Sequence, residues 1–358
     1  MLPSWEQYIY AAPKAELHVH LEGAIQPATV LALARRNRVP LPVENEEDLR
    51  RRFAYRDFEH FIESFMLVMR CLKTEEDYEL IVYEFGAEMA RQHVCYAEVN
   101  VTPSTHHLLG IPHAVYFSGM QRGRERARAD FGVEINWIFS IVRRWADTTR
   151  TVPMADYVTS VAIEGKDDGV VALGLGGAEA GAPPEPFAPW FERARAAGLH
   201  SAPHAGETAG AASVWGALTA LGAERIAHGV RAIEDPRLVD YLVQRRIPLD
   251  ITPTSNIALG VYPTYQAHPL PQLWAAGATI TISSDDPPLF NTSLNQEVTH
   301  LATDFGLDMA AIDTILLNGI QHSFLAEPRR QQLEAAFQAE LFALKTKHLA
   351  DRTGSPPL

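Results

Sequence analysis

Two histidines one residue apart, His18 and His20, lie in the stretch Pro13-Lys-Ala-Glu-Leu-His18-Val-His20-Leu-Glu22-Gly23. On an extended segment, side chains two apart point to the same side, so the pair can clamp a metal ion. In a chain with 14 histidines a His-x-His pair can also arise as two ordinary polar residues. What decides between the readings is whether the chain supplies further ligands. Downstream stand His204-Ala-Gly-Glu207, His228-Gly229 and the adjacent carboxylates Asp285 and Asp286, followed by Pro287-Pro288. Proline restricts the residue before it to extended geometry, so the carboxylate pair is expected to be held extended. Gly176-Gly177 and Thr254-Ser255-Asn256 add two polar or flexible segments of the same kind.

These residues need a scaffold that brings them together, and the apolar periodicity describes one. Strand candidates occur from Glu16 to His20, 94–101, 133–142, 170–175, 201–204, 225–228, 247–252 and 278–283, the longer of them rich in Val, Ile or aromatic residues. Helical spacing predicts helices between them, at about 27–34, 75–91, 112–128, 188–197, 211–221, 236–245 and 269–276. A further amphipathic segment, 53–72, carries Phe58, Phe61, Ile62, Phe65, Met66 and Met69 on one face. Most of these pack a core, and some could roof a pocket. Eight βα units in one chain point to a closed (β/α)8 barrel, with extra helices between the first two strands and at the C-terminus, 295–350. The expected organisation is a single domain over residues 1–350 with a frayed tail at 351–358. Every unusual polar residue named above falls at the C-terminal end of a strand, the face on which such barrels build active sites.

Composition narrows the function. The chain of 358 residues is 47% apolar and 21% charged, as a soluble globular protein should be. Its formal net charge of −13 opposes nucleic-acid backbones and anionic membranes as main partners, while a small neutral substrate is unaffected. Cys71 and Cys95 form neither a CxxC pair nor a disulfide framework, and the N-terminus has no signal-like segment. A cytoplasmic protein is expected; the oligomeric state is not legible.

Five segments in this order, Glu16-Leu-His18-Val-His20-Leu-Glu22-Gly23, His204-Ala-Gly-Glu207, Arg225-Ile-Ala-His228-Gly229, Pro253-Thr-Ser-Asn256 and Ser284-Asp285-Asp286-Pro287, resemble the adenosine deaminase family within the amidohydrolase superfamily. The resemblance implies one zinc ion held by His18, His20, His204 and Asp285, with a position left for the attacking water. It gives Glu207, as a protonated acid, the task of hydrogen-bonding N1 of an adenine ring, His228 that of orienting the water and taking its proton, and Asp286 a bond to N7. The backbone N–H of Gly177 would reach N3, and His20 and Glu22 would help bind the substrate, Glu22 at the position that meets the ribose 5′ end. The implied reaction is hydrolytic removal of the 6-amino group, leaving a 6-oxopurine and ammonia. A second metal is not expected, because β-strand four ends in Gly174-Leu-Gly-Gly177 where two-metal relatives carry a lysine, and Lys166 lies before that strand. The cysteine-ligated class of zinc deaminases is excluded by the missing Pro-Cys-x-x-Cys.

Familiar adenosine deaminases have an aspartate where this chain has Glu22. The longer carboxylate speaks against plain adenosine, since reach decides whether a buried hydroxyl finds its partner. The Gly176-Gly177-Ala178-Glu179 segment with its Pro-rich continuation is similar to relatives acting on 6-aminodeoxyfutalosine, a nucleoside modified at its 5′ end. Adenine deaminase is the alternative, and a catalytically inactive nucleoside-binding barrel is the reading from another class. Zinc-dependent ester or phosphoester hydrolysis is a third.

Overall fold

Strands covered on both faces read as nearly continuous apolar runs, and parallel strands must be joined by crossovers. In the computed structural model, which describes residues 3–53, 58–143 and 148–349, the strands are β1 (Lys14–His20), β2 (Val94–Val101), β3 (Glu134–Val142), β4 (Val170–Gly176), β5 (His200–Ser201, resuming at His204–Ala205), β6 (Ile226–His228), β7 (Leu249–Ile251) and β8 (Ile280–Ile282). All neighbouring pairs are parallel. The sequence predicts β5 as one run, and it is interrupted because Pro203 has no N–H to give to the ladder. Hydrogen bonds on either side, Ala202 N to Leu173 O at 3.0 Å and Ala227 N to Pro203 O at 3.1 Å, keep the strand order continuous. A bridge between Val19 and Asp285 returns the last strand to the first. It is reinforced by His20 N to Asp285 O at 2.8 Å and Asp285 N to His18 O at 3.1 Å. The expected (β/α)8 barrel is thus closed beside its own histidine pair.

Helix α1 (Ser4–Ala11) precedes the barrel, and α2 (Pro27–Arg36), α3 (Glu46–Arg52), α4 (Phe58–Met69) and α5 (Glu75–Arg91) fill the interval between β1 and β2. Then come α6 (Pro103–Leu108), α7 (His113–Phe131), α8 (Thr148–Glu164), α9 (Ala188–Ala196), α10 (Ala211–Ala220), α11 (Pro236–Arg245), α12 (Pro253–Ala258), α13 (Leu270–Ala275) and α14 (Pro287–Phe290). The chain finishes in α15 (Leu294–Thr303), α16 (Met309–Gln321) and α17 (Glu327–His348). The extra helices lie where the sequence puts them; residues 54–57 of the segment at 53–72, and the tail at 351–358, fall outside the described residues. Sequence periodicity does not find α3 or α8. The first buries only Leu49, and the second carries Pro153 within it, so neither shows an uninterrupted apolar stripe. Pro103, Pro253 and Pro287 do more than end strands: each opens a one- or two-turn helix, where a missing N–H costs nothing. Among the described residues no helix is long and apolar enough to cross a membrane.

Below the histidines the barrel is filled by charge. Arg225 is 1% exposed. Its Nε donates to Asp250 Oδ2 and its Nη2 to Glu98 Oε2, both at 2.5 Å, while Nη1 reaches His322 O at 3.0 Å. The guanidinium also lies 4.2 Å from the Phe324 ring centre. A buried cation is tolerable only when its partners are this complete.

Candidate active site

The functional side chains stand at the C-terminal strand ends, each aimed by a local backbone device. β1 places His18 and His20 two residues apart, and Ser283 Oγ accepts from His18 N at 3.1 Å, fixing the strand beside β8. Of these functional residues, His228 and Asp285 are non-glycine positions in left-handed backbone conformations, at φ 65° and 66°. Such geometry costs of order 1–3 kcal/mol and persists where the surroundings enforce it, commonly at functional sites. For Asp285 this corrects the sequence expectation: Pro287 restricts only Asp286, at φ −121°, whereas Asp285 turns left-handed and swings its carboxylate toward the histidines.

Three imidazole nitrogens and one carboxylate oxygen converge. His204 Nε2 lies 3.1 Å from His18 Nε2 and 3.2 Å from His20 Nε2, and Asp285 Oδ1 lies 3.5 and 3.3 Å from the same two nitrogens. One nitrogen of His204 cannot donate to two others. His18 Nδ1 faces the carbonyl of Asp250 at 3.3 Å, which puts its proton there and leaves a lone pair on Nε2. The arrangement fits a cation. Zinc with ligand bonds of about 2.0–2.1 Å sets neighbouring donors about 3.3 Å apart, and these four donor pairs lie at 3.1–3.5 Å. The protonation preferences agree: burial holds His18 down at about 4 and His204 well below its ordinary value, so both are neutral as ligation requires. Burial would also lower His20, but the Asp286, Asp285 and Glu22 carboxylates outweigh it and hold it up at about 9. That preference for positive charge at the centre is one a divalent ion satisfies. Ser255 Oγ donates to the second oxygen of Asp285 at 2.5 Å, fixing the carboxylate's rotation.

Around this cluster lies a pocket lined by Gly176, Gly177, Glu207, His228, Asp285 and Asp286 and roofed by Phe61, Ile62, Phe65 and Met66 of α4. Glu207 Oε2 is 3.7 Å from His228 Nε2. Burial first, then the Asp285 and Glu179 carboxylates, raise Glu207 well above the carboxylate range, so it is a neutral acid. Gly177 sits at φ 86°, and a Cβ there would come within 3.2 Å of Arg143 O. Asp286 Oδ1 is buried without a hydrogen-bond partner among the described residues, and burial raises the carboxyl well above the carboxylate range, so its proton can be donated to an acceptor on a ligand. Glu22 is fully buried and does not line the pocket. Its Oε1 accepts from Thr102 N and Thr102 Oγ1, each at 2.9 Å, and from His106 Nε2 at 3.0 Å.

Gly23, the last residue of the histidine stretch, has a reason of its own. A Cβ at this position would fall 1.6 Å from Asp286 Oδ1. Gly23→Ala is therefore expected to push the carboxylate out of place and raise KM about tenfold, equivalent to about 1.4 kcal/mol of binding, with the fold intact by circular dichroism.

Several contributors are invisible to sequence reasoning. Glu179, noted there only as part of a strand-end segment, accepts four backbone N–H groups, from Gly206, Glu207, Thr208 and Ala209, at 2.5–3.0 Å. It thereby holds the loop that presents Glu207. Arg143 donates to the carbonyls of His204 and Ala182. Lys166 is exposed, its Nζ donating to Ala197 O at 3.4 Å, away from the cluster.

The geometry can be set beside known proteins. The sequence signature of the family described as Adenosine deaminase matches residues 13–339. Aminodeoxyfutalosine deaminase of Streptomyces coelicolor is 40% identical, over 91% of this chain and 84% of its own. Adenine deaminase of Cupriavidus necator is 36% identical, over 94% and 93%. Among solved structures, adenine deaminase of Arthrobacter aurescens superposes with a TM-score of 0.84 at 30% identity, covering 94% of this chain and 100% of the other. A zinc-bound amidohydrolase of Burkholderia ambifaria reaches 0.87 at 28% identity, covering 98% and 96%. With this agreement of sequence, fold and metal-ready geometry, the chain belongs to the adenosine deaminase family, zinc-dependent hydrolases that act on C–N bonds of cyclic amidines in purines.

Proposed function

We propose that this chain hydrolyses the 6-amino group of a 5′-modified adenine nucleoside of the aminodeoxyfutalosine type, with His18, His20, His204 and Asp285 as ligands of one zinc ion. The observation that carries the reading is that His204 and Asp285 each approach both His18 and His20 to within 3.1–3.5 Å beside a neutral Glu207. When bound, the zinc ion supplies Lewis-acid activation of the attacking water. Glu207 donates to N1, so that the ring can accept electrons at C6 as the water oxygen adds there. His228 orients the water. Asp286 and the Gly177 N–H hold N7 and N3, and the α4 side chains exclude bulk solvent. A C6–O bond forms and the C6–N bond breaks; Glu207 gives its proton to N1 and regains one from the attacking water, whose second proton leaves on the amino group as NH3.

The substrate assignment rests on Glu22 and on the 40% identity to an aminodeoxyfutalosine deaminase. Because Glu22 is committed to Thr102 and His106 and lies behind the pocket wall, it is not placed to hold the 5′-hydroxyl of plain adenosine. A nucleoside modified at that position has no need of it. The same observation admits free adenine, the substrate named for the 36%-identical relative. Steady-state assays on 6-aminodeoxyfutalosine, adenosine and adenine separate the readings. The largest kcat/KM is expected for 6-aminodeoxyfutalosine; preference for adenine supports the second reading, and equal use of adenosine contradicts the role given to Glu22. Residues 1–350 acting as one unit in the cytoplasm, without nucleic acid as a partner, complete the proposal.

A further inference from the structure

The Pro253-Thr-Ser-Asn256 segment belongs to the family signature, yet Asn256 is neither one of the four donors nor one of the residues that line the pocket. Its contacts run elsewhere. Leu270 N donates to His268 Nδ1 at 3.2 Å. A backbone amide can only donate, so His268 Nδ1 is an acceptor and the ring proton is on Nε2. Burial, which pulls His268 down to about 4, agrees that the ring is neutral. His268 Nε2 lies 3.0 Å from Asn256 Oδ1, and a protonated Nε2 requires an acceptor there, which fixes the orientation of the amide. The amide nitrogen of Asn256 then faces His228 Nδ1 at 3.4 Å, and the Thr252 hydroxyl, which can turn to donate or to accept, lies 3.0 Å from that Nδ1, so the amide is the contact that discriminates. An amide NH2 opposite a ring N–H would be two donors in conflict. His268, Asn256 and His228 are each at most 1% exposed and the contacts between them are direct, so such a conflict would be costly.

We propose that Asn256 and His268 are positioning residues that relay the direction of one backbone N–H to His228, holding its Nδ1 as an acceptor and its proton on Nε2, the nitrogen facing Glu207 and the pocket. Only the role of His228 in catalysis is taken from the deaminase reading; the tautomer stands on contacts alone. The consequence is chemical. A neutral His228 with Nε2–H meets the attacking oxygen as a hydrogen-bond donor, stabilising charge that develops on it, and cannot take a proton at that nitrogen. This differs from the proton-accepting part that the family resemblance gives it.

The test is spectroscopic first. In the zinc-loaded full chain labelled with 15N-histidine, long-range 1H–15N correlation reports each ring nitrogen as protonated or bare, and His228→Gln identifies the His228 signals. The expected pattern is bare Nδ1 and protonated Nε2; a protonated Nδ1 in the wild type overturns the proposal. Asn256→Asp replaces the donor with an acceptor. The pattern is then expected to invert and kcat to fall about tenfold or more with KM nearly unchanged, as a wrong tautomer does elsewhere. An unchanged tautomer in that variant shows that Asn256 does not set it and overturns the proposal too. Should Asn256→Asp not fold, the wild-type spectrum still decides. The spectrum is readable whether or not any purine is turned over, so failure of the deaminase reading leaves this result separate.

Discussion

Glu207→Gln is expected to lower kcat by about 10²–10⁴-fold while changing KM little. The substitution keeps a hydrogen-bond donor of nearly the same shape, so binding to N1 survives. What it removes is a proton that can be transferred. Addition of water at C6 places electrons on the ring, and without a proton at N1 that charge has no outlet. The pH dependence has a definite sign. Burial and the Asp285 and Glu179 carboxylates raise Glu207 well above the usual carboxylate range, and the active form is the protonated one. Activity should therefore persist through neutral pH and fall as pH rises through the raised pKa. The residual rate of the Gln variant should lack that alkaline limb. Loss of KM with kcat unchanged would show instead that Glu207 only binds.

The second large effect concerns stability. Arg225→Met is expected to cost about 3–5 kcal/mol of unfolding free energy at pH 7, because it leaves Glu98 and Asp250 buried without their cation. Asp250 already stands raised to about 6: burial drives it up, and Arg225 holds it from rising further. A carboxyl whose folded pKa exceeds its unfolded value, here 3.8, contributes stability present below the unfolded pKa and lost as pH rises through the folded one. Without Arg225 the folded pKa moves higher still. The variant's deficit should accordingly be largest at neutral pH and shrink toward pH 4, as urea denaturation at a series of pH values would register. Since the Asp250 carbonyl holds His18 Nδ1 and Arg225 Nη2 approaches Leu17 O at 3.4 Å, zinc affinity should weaken in parallel. A deficit independent of pH would mean that lost packing, not uncompensated charge, is the cause.

Arg225 also marks the boundary of what the sequence discloses. The residues that do chemistry are legible because they break the local rule: polar side chains end apolar strands, and the His18-x-His20 spacing survives as geometry on β1. The fold is legible because eight strands repeat one pattern. What is not legible is every pairing created by closure. His228 meets Asn256 across 28 positions, Arg225 meets Glu98 across 127, and His18 meets Asp250 across 232. No local spacing records such partners. Glu179 is a similar case, since its four donors are backbone groups that carry no residue signature. The left-handed turn at Asp285 is hidden for another reason. Rules from Pro287 reach only one residue back, while the backbone of Asp285 is dictated by its bridge to Val19.

The central claim is that His18, His20, His204 and Asp285 hold one zinc ion on which deamination depends. Its most direct measurement is the rate of 6-oxopurine formation, followed by absorbance, as chelated enzyme is reloaded with zinc of known amount. The rate is expected to rise from near zero in proportion to bound metal and to level off at one ion per chain, with Asp285→Ala failing to bind it. Full turnover by metal-free enzyme, or a plateau only at two ions, would contradict the account.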